Sequence, residues 1–144
     1  MTPYKAFAVY LKSQASSLNA TFYPTQAPQN VAKPYGIFTV VEDAPQVTHD
    51  GGFDDGLLVM QIDLYADTLS SMDTLVDGIK TIFIGQSVAL DSTVKMAYCD
   101  SSNEMDEFDS EQKLYIRSFD LNIKYIITQN IRRGYCLFMK FQSF

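Results

Sequence analysis

His49 is the only histidine in the 144-residue chain, so any chemistry built on imidazole must pass through it. It stands in the segment 43–56, DAPQVTHDGGFDDG, where a solvated loop residue is the ordinary reading. A Ser-His-Asp or Cys-His arrangement needs that ring against a nucleophile, and no nucleophile-elbow motif accompanies it. A structural zinc site needs about four Cys or His ligands. The chain offers His49, Cys99 and Cys136, widely scattered. Two acidic runs carry oxygen ligands suited to Ca²⁺ or Mg²⁺: Asp50, Asp54 and Asp55, then Asp100, Glu104, Asp106, Glu107, Asp109 and Glu111. The second run fails the EF-hand pattern, because Met105 stands where that loop requires Gly. Carboxylate pairs on such loops are poorly preorganised for acid–base work, and solvated acidic loops are expected instead. These residues predict no catalytic site, no metal site and no cofactor.

The elements that would position anything else follow from patterning. With 47% hydrophobic and 19% charged residues, the chain is expected to be globular rather than disordered. Its net charge of −6, with no basic cluster in the main body, disfavours sequence-specific nucleic-acid binding. No run reaches the ~20 apolar residues that span a bilayer. The opening MTPYKAFAVYLKSQ lacks a signal-peptide core, so the protein is expected in the cytosol when made. There the cysteines stay reduced and the Asn19-Ala20-Thr21 sequon stays idle.

Thr2-Pro3 predicts a helix start. Tyr4, Phe7, Ala8, Leu11, Ala15 and Leu18 then trace one apolar face. A short extended piece, Thr21–Pro24, precedes a strand over Tyr35–Glu42 that is apolar on both faces. Residues 43–56 read as a mobile excursion between strands. The next strand, Leu57–Ala66, alternates Leu58, Met60, Ile62 and Leu64 against Gln61, Asp63 and Tyr65. Asp67-Thr68 caps a helix whose stripe is Leu69, Met72, Leu75, Val76, Ile79, Ile82 and Phe83, closed by Gly85. A strand around Val88–Tyr98, an acidic loop and a long strand from Lys113 to about Thr128 complete the order. The expected fold class is α+β: an antiparallel or mixed sheet of about four to five strands with two helices on one face. A single domain over residues 1–130 is expected, followed by an aromatic and basic arm over 131–144.

That arm, IRRGYCLFMKFQSF, repeats Tyr135, Phe138, Phe141 and Phe144 at every third residue. Each such side chain is worth ~1.5–3 kcal/mol when buried. The arm therefore either folds back on its own domain or docks on a neighbouring subunit.

Ala27-Pro28-Gln29, Pro34-Tyr35, the stretch Gln61–Ala66 (QIDLYA), the helix Leu69–Phe83 and the late strand beginning at Tyr115 together resemble the tail completion or tail terminator proteins of long-tailed bacteriophages. The resemblance covers about residues 1–128; the longer acidic loop and the arm depart from it. It implies a virion subunit of the tail or neck, assembled in the bacterial cytoplasm. Such subunits form a homohexameric ring on the head-proximal end of the tail tube. The ring stops polymerisation of the major tail tube protein and meets the head-closure or connector protein. DNA passes through an acidic lumen without specific binding. Another neck protein, a head-closure or adaptor subunit, is the alternative, and a small-molecule-binding module is a more distant one. The expected subunit or tube interface comprises Asp50, Phe53, Asp54, Asp55, Glu104, Asp106, Glu107, Arg132, Arg133, Tyr135, Phe138 and Phe141. If Arg132 and Arg133 meet a neighbour's acidic loop, reversing both should weaken ring formation, most at low salt, as sedimentation would show.

Overall fold

The computed structural model describes residues 2–47 and 53–127. Thr2 caps the first helix as expected: its hydroxyl accepts the Lys5 amide at 3.3 Å, and Pro3 fills the first turn. Helix α1 (Pro3–Ser13) buries Ala6, Phe7 and Leu11. The apolar face predicted to run on to Leu18 is broken at Gln14, and a separate short helix α2 (Ala15–Leu18) follows. Hydroxyls explain the break: Ser13 donates to the Tyr10 carbonyl and Ser17 to that of Gln14, competing with the helix ladder. Asn19, at φ 55°, then ends α2 in the left-handed region that Asn tolerates.

Six strands form one mixed sheet: β1 (Thr21–Pro24), β2 (Tyr35–Val47), β3 (Phe53–Ala66), β4 (Val88–Ala89), β5 (Val94–Asp109) and β6 (Leu114–Ile127). Their order is β1-β2-β3-β6-β5-β4; only the β1–β2 pair is parallel. The expected mixed α+β class holds. Among the described residues the counts rise to six strands and three helices, because the single strand expected around Val88–Tyr98 is split into β4 and β5 and α2 is separate from α1.

Two segments read as loops are strands. Asp43–Val47 and Phe53–Gly56 continue β2 and β3, paired from Asp43 opposite Leu58 to Val47 opposite Phe53 with one irregularity after Gln46. In β3 the Gly- and Asp-rich composition is overridden because β6 supplies a second ladder, with Asp55 opposite Ile126 and Gly56 opposite Tyr125, and the extended β3 in turn pairs with 43–47. The acidic run 100–109 likewise lies in β5, paired with β6 as far as Asp109 opposite Leu114. It lacks apolar alternation because it is an exposed edge, where charged side chains are the rule.

Alternation in the central strands is as predicted. Leu58, Met60, Ile62 and Leu64 of β3, and Phe119, Leu121, Ile123 and Tyr125 of β6, are buried in one core. Helix α3 (Leu69–Phe83), capped by Thr68 accepting the Ser71 amide at 3.1 Å, adds Met72, Leu75, Val76, Ile79 and Phe83 to that core. Leu69, read as part of the buried stripe, is half exposed in the first turn instead. Gly85 closes the helix at φ 71°, its amide donating to the Cys99 carbonyl at 2.8 Å. Cys99 itself is fully buried, and desolvation, with Asp100 nearby, pushes its thiol up to about 12. A thiol so placed stays protonated and inert.

The opposite face of the central strands carries half-buried Gln61, Asp63, Tyr65, Ser118, Asp120 and Asn122. Tyr35 and Tyr65 stack there with ring centroids 4.7 Å apart, and Tyr23 meets Tyr35 edge-on at 6.4 Å.

The β4–β5 turn depends on one carboxylate. Asp91 Oδ1 accepts the amides of Thr93 and Val94, both at 2.7 Å, and the Thr93 hydroxyl at 3.1 Å. Partial burial raises its pKa, but these donors outweigh that and hold it below the usual carboxylate range. A depressed folded-state pKa adds stability that is present above pH ~4 and lost as pH falls through the folded value. Asp91→Ala should therefore cost about 1–2 kcal/mol at neutral pH and much less near pH ~2, read from urea midpoints at each pH.

Candidate assembly surface

Beyond Lys95 and Met96, where β4 pairs, no strand among the described residues covers the outer edge of β5. Glu104, Asp106 and Glu107 lie on this edge, all exposed. A register irregularity between Ser102 and Met105, with Asn103 at φ 56°, turns Glu104 toward α3. There its carboxylate meets Lys80 Nζ at 2.8 Å.

Arg117 of β6 organises the rest. Its side chain is only 14% exposed, and it ion-pairs with Asp106, with Asp73 at 3.4 Å and with Glu104 at 3.8 Å. The hydrogen bond to Asp106, followed by the charges of Asp106, Asp73 and Glu104, raises the guanidinium pKa further and outweighs the opposing effect of burial. One cation thus ties the first turns of α3 to the β5 edge. Each exposed pair is worth little alone, but a shared and largely enclosed arginine fixes their common geometry.

Beside this cluster runs a groove of about 300 Å³ lined by Leu69, Asp106, Glu107, Phe108, Tyr115 and Arg117, among others. Leu69 and Phe108 are about half exposed, at 51% and 49%, and Phe108 packs on Tyr115 with centroids 4.8 Å apart. The result is an apolar floor with an acidic rim.

Of the interface residues expected from sequence, the described ones fall toward both ends of the sheet. Asp55 sits opposite Ile126 near one end of the sheet, whereas Glu107 sits opposite Ile116 near the other. Phe53 and Asp54 begin β3. Asp50 and His49 lie outside the described residues, as do Arg132, Arg133, Tyr135, Phe138 and Phe141. Arg117 was missed, although a signal existed: it interrupts the inward series of Tyr115, Phe119 and Leu121 with a charge. Leu69 and Phe108 gave no such signal, since their exposure is decided by packing. Among the described residues no group of three His, Cys, Asp or Glu is placed to hold a metal ion. No described helix is long and apolar enough to cross a membrane.

Among the described residues the sheet keeps an open edge beside an apolar, acid-rimmed groove, a surface suited to contact with other protein chains. The chain belongs to the tail completion protein gp17 family, whose model matches residues 8–126, and it is a structural protein of a bacteriophage tail. Among solved structures, a chain of the virion of a native gene transfer agent (GTA) particle superposes with a TM-score of 0.58. That match has 10% identity and covers 82% of this chain and 91% of the other. A second solved chain superposes with a TM-score of 0.56 at 14% identity, over 87% of this chain and 92% of the other. At such identities the likeness is one of fold. No curated protein sequence matches.

Proposed function

We propose that this subunit forms a homohexameric ring on the head-proximal end of the tail tube, ends tube polymerisation and joins the tail to the head connector. The observation that carries this reading is the long edge of β5 that no other described strand covers, with the outer edge of β2 likewise uncovered among the described residues beyond its pairing with β1 at Phe38. A sheet open at both sides suits side-by-side contact between identical subunits in a closed ring. Family membership supports the tail role, and the virion particle among its structural neighbours supports an assembly context. The partners are then other copies of this chain, the major tail tube protein and the head-closure or connector protein.

Charge fits a DNA passage. The three cations of residues 128–144 leave residues 1–127 with eight basic against seventeen acidic side chains, a net charge of −9. An acidic wall repels the phosphate backbone and lets DNA pass without specific binding.

Electron microscopy of particles from a host in which the gene is disrupted tests the proposal. Tails of abnormal length, separate from filled heads, are the expected result. Free tails of normal length beside unfinished heads would move the subunit to head closure. Intact infectious virions would overturn the reading.

A further inference from the structure

We infer that the groove beside Arg117 receives the basic, aromatic segment 131–144 of a second copy of this chain. Three observations converge on that occupant. The floor of the groove is apolar, with Leu69 and Phe108 half exposed and Tyr115 beneath them. Its rim is acidic: Asp106 and Glu107 line it beside Arg117, and the adjoining ion-pair cluster adds Asp73 and Glu104 with Lys80. Glu111, in the turn joining β5 to β6, adds a further acid close by. Segment 131–144 is the complement, with Tyr135, Phe138, Phe141 and Phe144 at every third residue, Arg132, Arg133 and Lys140 between them, and no acid. Aromatic anchors in an apolar slot with cations on an acidic rim match both halves of the surface.

Reach decides between the same copy and another. Strand β6 ends at Ile127, which pairs with Val94 at one end of the sheet, while Tyr115 pairs with Ala66 at the other. Twelve residues of strand separate Tyr115 from Ile127, or roughly 40 Å at ~3.3 Å per residue. Phe138 lies eleven residues beyond Ile127, within at most ~40 Å of fully extended chain. A chain that turns back at Ile127 brings Arg132, Arg133 and Tyr135 at most ~20–30 Å along β6, short of Arg117 at roughly 33 Å, so the arginines and the aromatics of one copy cannot occupy its own groove together. The groove of a neighbour has no such restriction. Contacts of this kind run from one copy to the next, so one interface type serves every pair in a closed assembly.

The test uses the full chain in two complementary versions. One carries Arg132→Glu and Arg133→Glu. The other carries Glu107→Lys and Glu111→Lys, two acids outside the Arg117 ion-pair cluster, so the local fold is kept. Sedimentation velocity at low salt should show the natural chain self-associating. Each version alone should dissociate at least about tenfold more readily. Mixed together, the two versions should associate again, because each supplies the arm that the other's groove now accepts. Docking within one copy predicts no recovery on mixing, and that result would overturn the inference. So would a monomeric natural chain, or variants that associate unchanged. Circular dichroism melting of each version separates misfolding from lost contact, and Lys124→Glu on the opposite face serves as a charge control that should leave association unchanged. No tube or head is present in these experiments, so their failure is distinct from failure of the terminator reading, which is scored on particles.

Discussion

Phe83→Ala should lower the unfolding free energy by about 3–5 kcal/mol, out of the roughly 5–15 kcal/mol that holds a domain together. Phe83 is the last residue of α3 and is fully buried. Its ring lies 5.3 Å from that of Phe7 and meets Tyr10 edge-on at 5.7 Å, and Phe7 in turn meets Phe38 of β2 at 6.3 Å. One side chain therefore joins both long helices to the sheet. Truncation removes its transfer free energy and leaves a cavity that the two neighbouring aromatics, Phe7 and Tyr10, cannot close without leaving their own rotamers. The melting temperature should fall by roughly 10–20 °C, whereas Phe83→Leu, which keeps most of the volume, should cost far less. A loss below ~1 kcal/mol for the alanine variant, measured by urea unfolding, would contradict the packing described above.

Gly56→Ala should cost about 2–4 kcal/mol although it adds one methyl group. A Cβ at this position would stand 2.5 Å from Tyr125 Oη, 2.7 Å from its Cζ and 2.8 Å from the Ala44 carbonyl oxygen. The tyrosine crosses β3 over this glycine to donate to Asp43 Oδ1 at 2.9 Å, with only 2% of its surface exposed. Neither the carbonyl nor a buried, bonded ring can yield cheaply. Tyr125→Phe alone should cost less, about 1–2 kcal/mol for the hydrogen bond to a carboxylate. Gly56→Ala in that background should cost less than in the natural chain, because the closest clashing atom is gone.

The same pair predicts behaviour in base. Burial, then the hydrogen bond to Asp43 and the charges of Asp43 and Asp55, push the Tyr125 hydroxyl well above its ordinary value. A raised folded-state pKa makes the contribution full below the unfolded value of about 10 and lost as pH climbs toward the folded one. Tyr35 and Tyr65, raised chiefly by burial, act in the same direction. Stability should decline above pH ~10, less steeply in Tyr125→Phe, and equal slopes in both proteins would refute the assignment.

Elements that face one core were legible from one-dimensional pattern alone. The alternation of β3 and β6, the stripe of α3 and the caps at Thr2 and Thr68 each depend on neighbours two to four residues away. The family followed from such local patterns, and its model matches residues 8–126. Composition misled where a neighbouring strand supplied backbone partners: 43–47, 53–56 and 100–109 look like turn or acidic loop, yet β2 and β3 hold the first two against each other, β6 joins from Asp55, and β6 holds the third. Backbone hydrogen bonding does not depend on side-chain type, so propensity yields once even one partner strand is in place.

The candidate site divides in the same way. The acidic character of 104–107 was written in the sequence, because charge is a property of residue type. The convergence of Asp73, Glu104 and Asp106 on Arg117, and the exposure of Leu69 beside Phe108, came only with the tertiary structure. Arg117 is 44 residues from Asp73 and 11 from Asp106 along the chain. No local periodicity links such positions; they meet because β5 pairs with β6 so that Asp106 stands opposite Arg117, while α3 packs against β6.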